Sequence, residues 1–98
     1  MYKPLFEKVT VKNSSIHGLG LYARELIPKG MNLGITHVKD ARFENNYIRT
    51  PLGGFFNHSE NPNCKIVEAG DFLMLVTIET IQAGYELTAR YTLYNPTV

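Results

Sequence analysis

Apolar and polar residues alternate along several short stretches of the chain, and a period of two is typical of β-strands. The alternation begins in the segment FEKVTVK at residues 6–12. Further strands are predicted within residues 21–26, 31–38, 65–81 and 85–93. The segment 65–81 carries Ala-Gly-Asp at its centre, so it is predicted to form two strands joined by a hairpin.

Turn-forming residues separate the predicted strands. Residues 13–20, NSSIHGLG, have the composition of a turn. Residues 27–30 predict a tight turn, because Pro28 presets φ and Gly30 can adopt a positive φ. Residues 39–50 are the one stretch with weak helical character. Many short strands with frequent turns together predict a mainly β fold.

Size and charge narrow the function classes. The 98 residues suffice for a single domain, residues 1–98, with a modest core, and an apolar content of 44% argues against disorder. Ten basic and nine acidic residues leave a net charge of +1, which gives no broad electrostatic footprint for nucleic acid or an acidic membrane. We therefore expect neither as a direct partner.

Cysteine usage and hydropathy predict an intracellular protein. Cys64 is the only cysteine, so the chain cannot form an internal disulfide. No apolar run approaches the ~20 residues of a membrane span, and the opening MYKPLFEKV lacks the apolar core of a signal peptide. We expect a reducing compartment, the cytoplasm or, for a viral protein, the host nucleus.

Two nine-residue segments resemble each other. ELIPKGMNL at 25–33 and ETIQAGYEL at 79–87 share Glu, Ile, Gly and Leu at the same offsets. Two copies do not make a repeat array, and we attribute the likeness to the general similarity of strand–turn–strand units.

Four features could carry chemistry, and each has a simpler structural explanation. The Gly-x-Gly of HGLGLYA, residues 17–23, could bring the backbone close to a ligand, or could be a hairpin turn. The stretch GGFFNHSENPNC, residues 53–64, sets aromatic rings beside polar turn residues, which either contact a flat ligand or end a strand. The C-terminal tyrosines could be site residues or packing residues. Cys64 has no histidine paired with it by a known signature, so a buried structural thiol is favoured.

No metal site is predicted. His58 is the candidate ligand, but His17 and His37 have no ligand spacing to it.

Three elements occur in one order and at fitting distances: GLGLYA at 18–23, NHSENPNC at 57–64 and AGYELTARY at 83–91. Together they resemble the SET domain, the β-rich fold of protein-lysine methyltransferases, from about Val9 to Tyr94. In size the chain is similar to the minimal SET proteins of viruses and bacteria. The resemblance implies a β-clip fold of short curved sheets with a C-terminal pseudoknot.

The same resemblance implies S-adenosylmethionine as cofactor and assigns positions to it. Asn57 would lie beside the methionine end of the cofactor, and His58, largely through its backbone, beside the adenine. Phe55 and Phe56 would alternate between ligand and core. The implied cofactor-binding residues are Gly18, Leu19, Gly20, Leu21, Tyr22, Gly54, Phe55, Asn57 and His58.

For catalysis, the resemblance implies Tyr91 as the catalytic hydroxyl and Tyr91 with Tyr94 as walls of a lysine channel. The acceptor must be a neutral amine, although a free lysine has a pKa of about 10.4. A narrow apolar channel favours the neutral amine by desolvation, and tyrosine faces attract the ammonium form. The remaining requirement is alignment of nitrogen, methyl and sulfur in one line.

The chain departs from the family pattern in three places. Tyr85 and Arg90 stand where the family often has acidic residues, the stretch between Gly34 and Gly53 is short, and the tail after Tyr94 has four residues. The leading hypothesis is S-adenosylmethionine-dependent methylation of a lysine on a protein substrate, with a homodimer as a further expectation. The alternatives are a non-catalytic SET-like module that binds a peptide or partner, and a β-rich structural domain without a ligand.

Overall fold

The computed structural model describes residues 6–16, 18–42 and 47–90 and is mostly β. It contains two four-stranded sheets, ordered β1-β2-β8-β5 and β4-β3-β7-β6. Within the described residues the elements are β1 Val9–Asn13, β2 Leu19–Ala23, β3 Asn32–Lys39, β4 Tyr47–Arg49, α1 Pro51–Phe55, β5 Asn57–His58, β6 Cys64–Ala69, β7 Phe72–Thr77 and β8 Glu86–Ala89. The prediction of a mainly β fold of small sheets is confirmed.

Most predicted strands and turns are found near their predicted places. β6 and β7 pair antiparallel around a turn in which Gly70 has a φ of 62°. Gly30, in the predicted tight turn, has a φ of 83°. β2 begins at Leu19, inside the segment predicted as a turn, and ends at Ala23.

The helical prediction for residues 39–50 is wrong where the structure describes them, at 39–42 and 47–50, and residues 43–46 lie outside the described residues. Tyr47–Arg49 form β4, which pairs with β3, and the helix α1 begins only after Thr50. Thr50 is the N-cap of this helix: its hydroxyl oxygen accepts a hydrogen bond from the Gly53 amide, and its hydroxyl hydrogen is donated to the Ile35 carbonyl at 2.6 Å. Pro51 occupies the first turn, where its missing N–H has no consequence. The pair Thr50-Pro51 was the available sequence signal for this helix start.

A β-bulge in β3 determines how α1 packs. Between Ile35 and His37 the register with β7 shifts, and both Thr36 and His37 are buried. α1 lies directly against this bulge, since a Cβ on Gly53 would collide with the Thr36 carbonyl oxygen and lie 2.9 Å from its carbon. Gly53 is therefore required by the close approach of helix and strand.

The core lies between the two sheets and beneath α1. Its fully buried side chains include Leu21, Ile27, Leu75, Ile81 and Leu87. Phe56 and Cys64 belong to the same cluster. Within the described residues, no helix is long and apolar enough to cross a membrane.

Candidate functional site

β8 lies between β2 and β5 and so brings together two of the three elements that the sequence singled out. It pairs antiparallel with β2, with Tyr22 opposite Glu86. On its other side it pairs in parallel with β5, with Asn57 opposite Thr88. The Gly-x-Gly segment and the Asn-His-Ser segment therefore flank one strand, although 38 residues separate Leu19 from Asn57.

The side chain of Asn63 also bonds to the backbone of β8, at Glu86 and Thr88, near the residue that Asn57 pairs with. Its side-chain amide donates a hydrogen bond of 2.8 Å to the Glu86 carbonyl, and its side-chain oxygen accepts one of 2.9 Å from the Thr88 amide. The side chain thus replaces a strand residue, which gives the Pro-Asn end of NHSENPN a structural role. Sequence reasoning did not predict this role.

The side chain of Glu86 is the centre of a hydrogen-bond cluster at this place. The Ser14 hydroxyl lies 2.8 Å from each of its carboxylate oxygens. The Tyr22 hydroxyl donates to Oε1 at 3.3 Å, and the Asn57 side-chain amide donates to Oε2 at 2.8 Å. Glu86 was not among the predicted site residues. The available signal for it was a carboxylate at the second position of the predicted strand 85–93.

Gly20 is needed where this carboxylate lies. A Cβ at this position would collide with Oε2 of Glu86 and would lie 2.9 Å from its Cδ and 3.1 Å from the Ser14 Cβ. The second glycine of Gly-x-Gly therefore makes room for a side chain of the protein itself. Its role toward a cofactor stays a prediction.

The remaining predicted residues of the first element occupy different environments. Gly18 is exposed at a φ of 48°, and its carbonyl accepts a hydrogen bond from the Ser14 amide that closes the turn. Leu19 is 49% exposed, and its carbonyl accepts from the Asn57 side chain at 3.2 Å. Leu21 is fully buried in the core, so its side chain offers no surface to a ligand. Tyr22 is half-buried, and its hydroxyl also lies 3.1 Å from the Asn13 carbonyl, so its one hydrogen is shared between Asn13 and Glu86.

The two aromatic residues before Asn57 differ in burial, and a contact of either with a cofactor stays a prediction. Phe56 is 4% exposed and belongs to the core, whereas Phe55 is half-buried and packs at its edge. Gly54 is exposed on α1, with open space where a Cβ would lie. Gly54 and Phe55 thus lie on α1, beside and not within the Glu86 cluster.

His58 and Arg90 are joined through Glu60. The His58 ring Nε2 lies 3.1 Å from Oε1 of Glu60, and the Arg90 guanidinium lies 3.2 Å from Oε2. The hydrogen bond from His58 and the charge of Arg90 lower the pKa of Glu60. Arg90, one of the departures from the family pattern, is thus exposed and tied to the Asn-His-Ser loop.

Cys64 is inaccessible, which confirms its interpretation as a structural thiol. Its side chain is fully buried, and burial, with a smaller effect of Glu79, raises the pKa of the thiol to about 12. A thiol in this state is a poor nucleophile at neutral pH.

Part of the predicted site lies outside the described residues. This concerns both predicted channel residues, Tyr91 and Tyr94. The C-terminal pseudoknot, which would include the same segment, stays a prediction for the same reason.

Comparison with known proteins identifies a family and a fold. The family model described as the SET domain matches residues 31–92, more than half of the chain. Among curated proteins, none gives a significant match.

Two solved structures have similar folds. One is a candidate histone methyltransferase of Plasmodium falciparum, with a TM-score of 0.70 and 23% identity over 87% of this chain and 93% of that one. The other is the methyltransferase domain of human PR domain-containing protein 2, with a TM-score of 0.70 and 21% identity over 94% of this chain and 82% of that one.

Proposed function

Because the chain belongs to the SET domain family, we propose that it catalyses S-adenosylmethionine-dependent transfer of a methyl group to the side-chain amine of a lysine on a protein. The observation that carries the proposal is the hydrogen bond between the Asn57 side chain and the Leu19 carbonyl. It joins the two segments that the family resemblance assigns to the cofactor, from β2 to β5 of one sheet.

The groups around Asn57 suit a cationic cofactor. The Asn57 amide lies among acceptors, the Leu19 carbonyl and the Glu86 carboxylate, and Glu86 makes no ion pair with any described residue. S-adenosylmethionine carries a positive sulfonium and an ammonium group, and when bound it supplies an electrophilic methyl group. Leu19, whose carbonyl is one of these acceptors, is exposed and offers apolar surface for a flat base.

The protein's own tasks follow from the chemistry of the acceptor lysine. A lysine must lose its proton before its nitrogen can attack, and desolvation in a narrow channel favours the neutral form. We assign the walls of that channel to Tyr91 and Tyr94 and the hydroxyl at its inner end to Tyr91. Arg90, the residue before Tyr91, contacts Glu60 through both its carboxylate and its backbone carbonyl, so the last described residue lies against the Asn-His-Ser loop.

Calorimetric titration with S-adenosylhomocysteine, the product form of the cofactor, tests the cofactor site. We expect one-to-one binding that is at least tenfold weaker in Asn57→Ala, because hydrogen bonds of a buried amide are lost. Asn61→Ala is the matched control, since Asn61 is exposed in the same loop. The absence of binding to the native chain at millimolar ligand would overturn the proposal.

Methyl transfer separates the enzyme from a non-catalytic binding module. The assay combines the native protein with S-adenosylmethionine that carries a labelled methyl group. The acceptors are a pool of lysine peptides and core histones, and the label on lysine is measured. Tyr91→Phe should bind S-adenosylhomocysteine like the native chain and transfer far less label. Peptide binding by the native chain without transfer to any component would favour the non-catalytic module.

We also propose that the protein forms a homodimer through the outer face of the sheet β4-β3-β7-β6. Its apolar side chains are half-buried or exposed in the single chain: Ile35, Val38, Ile48, Val67, Phe72, Met74 and Val76. The paired positions of this face include one charged residue, Lys65, so it offers little to a charged partner. A second copy related by a two-fold axis would present the same apolar face.

A further inference from the structure

Glu86 contacts three separate segments of the candidate site through one carboxylate. Ser14 belongs to the loop before the Gly-x-Gly turn, Tyr22 to β2 and Asn57 to β5. Their sequence separations from Glu86 are 72, 64 and 29 residues. All three donors are neutral, and the carboxylate lies against Gly20, which has no side chain to displace it.

The contact with Asn57 fixes the orientation of a side-chain amide. The Nδ2 group of Asn57 has two hydrogens, and it donates to the Leu19 carbonyl at 3.2 Å and to Oε2 of Glu86 at 2.8 Å. Rotating the amide by half a turn would set its own oxygen against two acceptors, which is repulsive. The position of Oε2 therefore determines which way Asn57 points.

We propose that Glu86 is a positioning residue of the cofactor site, which acts on cofactor affinity by holding the Asn57 amide in one orientation. The inference rests on the proposed function, because it requires that Asn57 contacts the cofactor. It assigns a role to the contacts that the Glu86 carboxylate makes with Ser14, Tyr22 and Asn57. The hydroxyls of Ser14 and Tyr22 hold the carboxylate in turn, so the cluster is ordered before the cofactor arrives.

Two substitutions of similar size separate this role from general support of the fold. Glu86→Gln keeps an oxygen that can accept from Asn57, whereas Glu86→Met keeps the length of the side chain without an acceptor. We expect the affinity for S-adenosylhomocysteine to fall about tenfold or more in Glu86→Met, the loss typical of a buried amide without its partner. In Glu86→Gln it should stay within about threefold of the native value.

A double-mutant cycle with Asn57→Ala tests whether Glu86 acts through Asn57. In the absence of the Asn57 amide, adding Glu86→Met should weaken binding by no more than about twofold further. Additive losses would overturn the proposal, as would equal losses in the Gln and Met variants. If the native chain binds no S-adenosylhomocysteine, the proposed function fails, and this inference fails with it. Native binding that Glu86→Met leaves unchanged overturns this inference alone.

A second measurement on the native chain covers the case in which Glu86→Met does not fold. Hydrogen exchange of the Asn57 side-chain amide, followed by NMR, should be at least tenfold slower than that of the exposed Asn61, because both Nδ2 hydrogens are engaged. Exchange at the rate of Asn61 would contradict a fixed orientation and overturn the inference.

Discussion

Ile27 and Ile81 exchange both of their backbone hydrogen bonds, at 2.8 Å in each direction, and both side chains are buried. The two residues hold the same position in the two similar nine-residue segments, 25–33 and 79–87. The pairing thus joins the segment between β2 and β3 to the segment between β7 and β8. Each of these segments connects one sheet to the other, and the pair lies outside the named strands.

Two further hydrogen bonds occupy equivalent positions in the two segments. The Gly30 amide donates to the Thr77 carbonyl, and the Gly84 amide donates to the Ala23 carbonyl. Gly30 and Gly84 have almost the same positive φ, 83° and 87°. The likeness of the two segments, which we attributed to the general similarity of strand–turn–strand units, therefore corresponds to equivalent positions in the fold.

Truncating Ile81 should destabilise the protein strongly. Ile81→Ala is expected to lower the free energy of unfolding by about 2–4 kcal/mol, because it removes buried methyl groups and leaves a cavity. Urea denaturation measures the change. Ile16→Ala is the control, since Ile16 is 51% exposed and its truncation should change stability by less than about 0.5 kcal/mol. Equal effects of the two substitutions would contradict a core position for Ile81.

Two glycines should respond to alanine in opposite ways. Gly20→Ala should destabilise the protein by about 1–3 kcal/mol, since the new methyl group displaces the Glu86 carboxylate from its donors. Gly54→Ala should stabilise it by about 0.5–1 kcal/mol, because Gly54 lies in α1 with open space around it and alanine favours helix. The same denaturation experiment compares both variants with the native chain. Stabilisation by Gly20→Ala would show that the carboxylate does not lie on Gly20.

The proposed dimer should depend on the outer face of the sheet β4-β3-β7-β6. Light scattering is expected to give twice the mass of the chain at micromolar concentration. Replacing both Ile48 and Phe72 with serine should return the mass to that of one chain, because it removes the two exposed large apolar side chains of that face. Leu26→Ser is the matched control, since Leu26 is 49% exposed outside both sheets. A native mass equal to one chain would exclude this dimer.

Much of the fold could be predicted from the sequence, because strands and turns depend on local patterns. The alternation at residues 6–12 and the hairpin at 69–71 need no long-range information. The incorrect helical prediction for Tyr47–Arg49 shows the limit of local patterns. These residues form β4 because they pair with β3, and helix propensity contains no information about such pairing.

The candidate site was predicted in its segments but not in its internal contacts. Sequence motifs identified the segments that contain Gly20 and Asn57, and the fold brings both segments to β8. The link between them, Glu86, was missed because its partners lie 29 to 72 residues away and hydrogen bonds at such separations leave no periodic pattern. Asn63 was missed for the same reason, since its role as a strand substitute is visible only once β8 is in place.

His37 should make the stability of the protein depend on pH near neutrality. The side chain is 4% exposed, and burial, with a smaller contribution from the positive charge of Arg49, lowers the pKa of its ring below the usual 6.5. Thr36 donates its hydroxyl hydrogen to the Leu73 carbonyl, so the same hydroxyl accepts from Nδ1 of His37. Nε2 is then unprotonated, and it has no hydrogen-bond partner among the described residues.

The direction of the effect follows from the two pKa values. Between the lowered pKa of the folded state and 6.5, the unfolded chain binds more protons than the folded one, so stability falls as the pH falls through this window. The slope can reach about 1.4 kcal/mol per pH unit for one group. Three carboxyl groups also have lowered pKa values, but they affect stability only at more acidic pH. They are Asp40 beside Arg42, Glu60 beside His58 and Glu68 beside Lys39.

Urea denaturation at intervals from pH 7.5 to pH 5.0 measures this dependence. The native chain should lose stability below about pH 6.5, as the unfolded chain takes up a proton that the buried ring resists. His37→Gln should flatten the curve in this range, since glutamine can still donate to Thr36 and does not titrate. Parallel curves for the two proteins would show that another group, and not the ring beside Tyr47 and Arg49, controls stability near neutral pH.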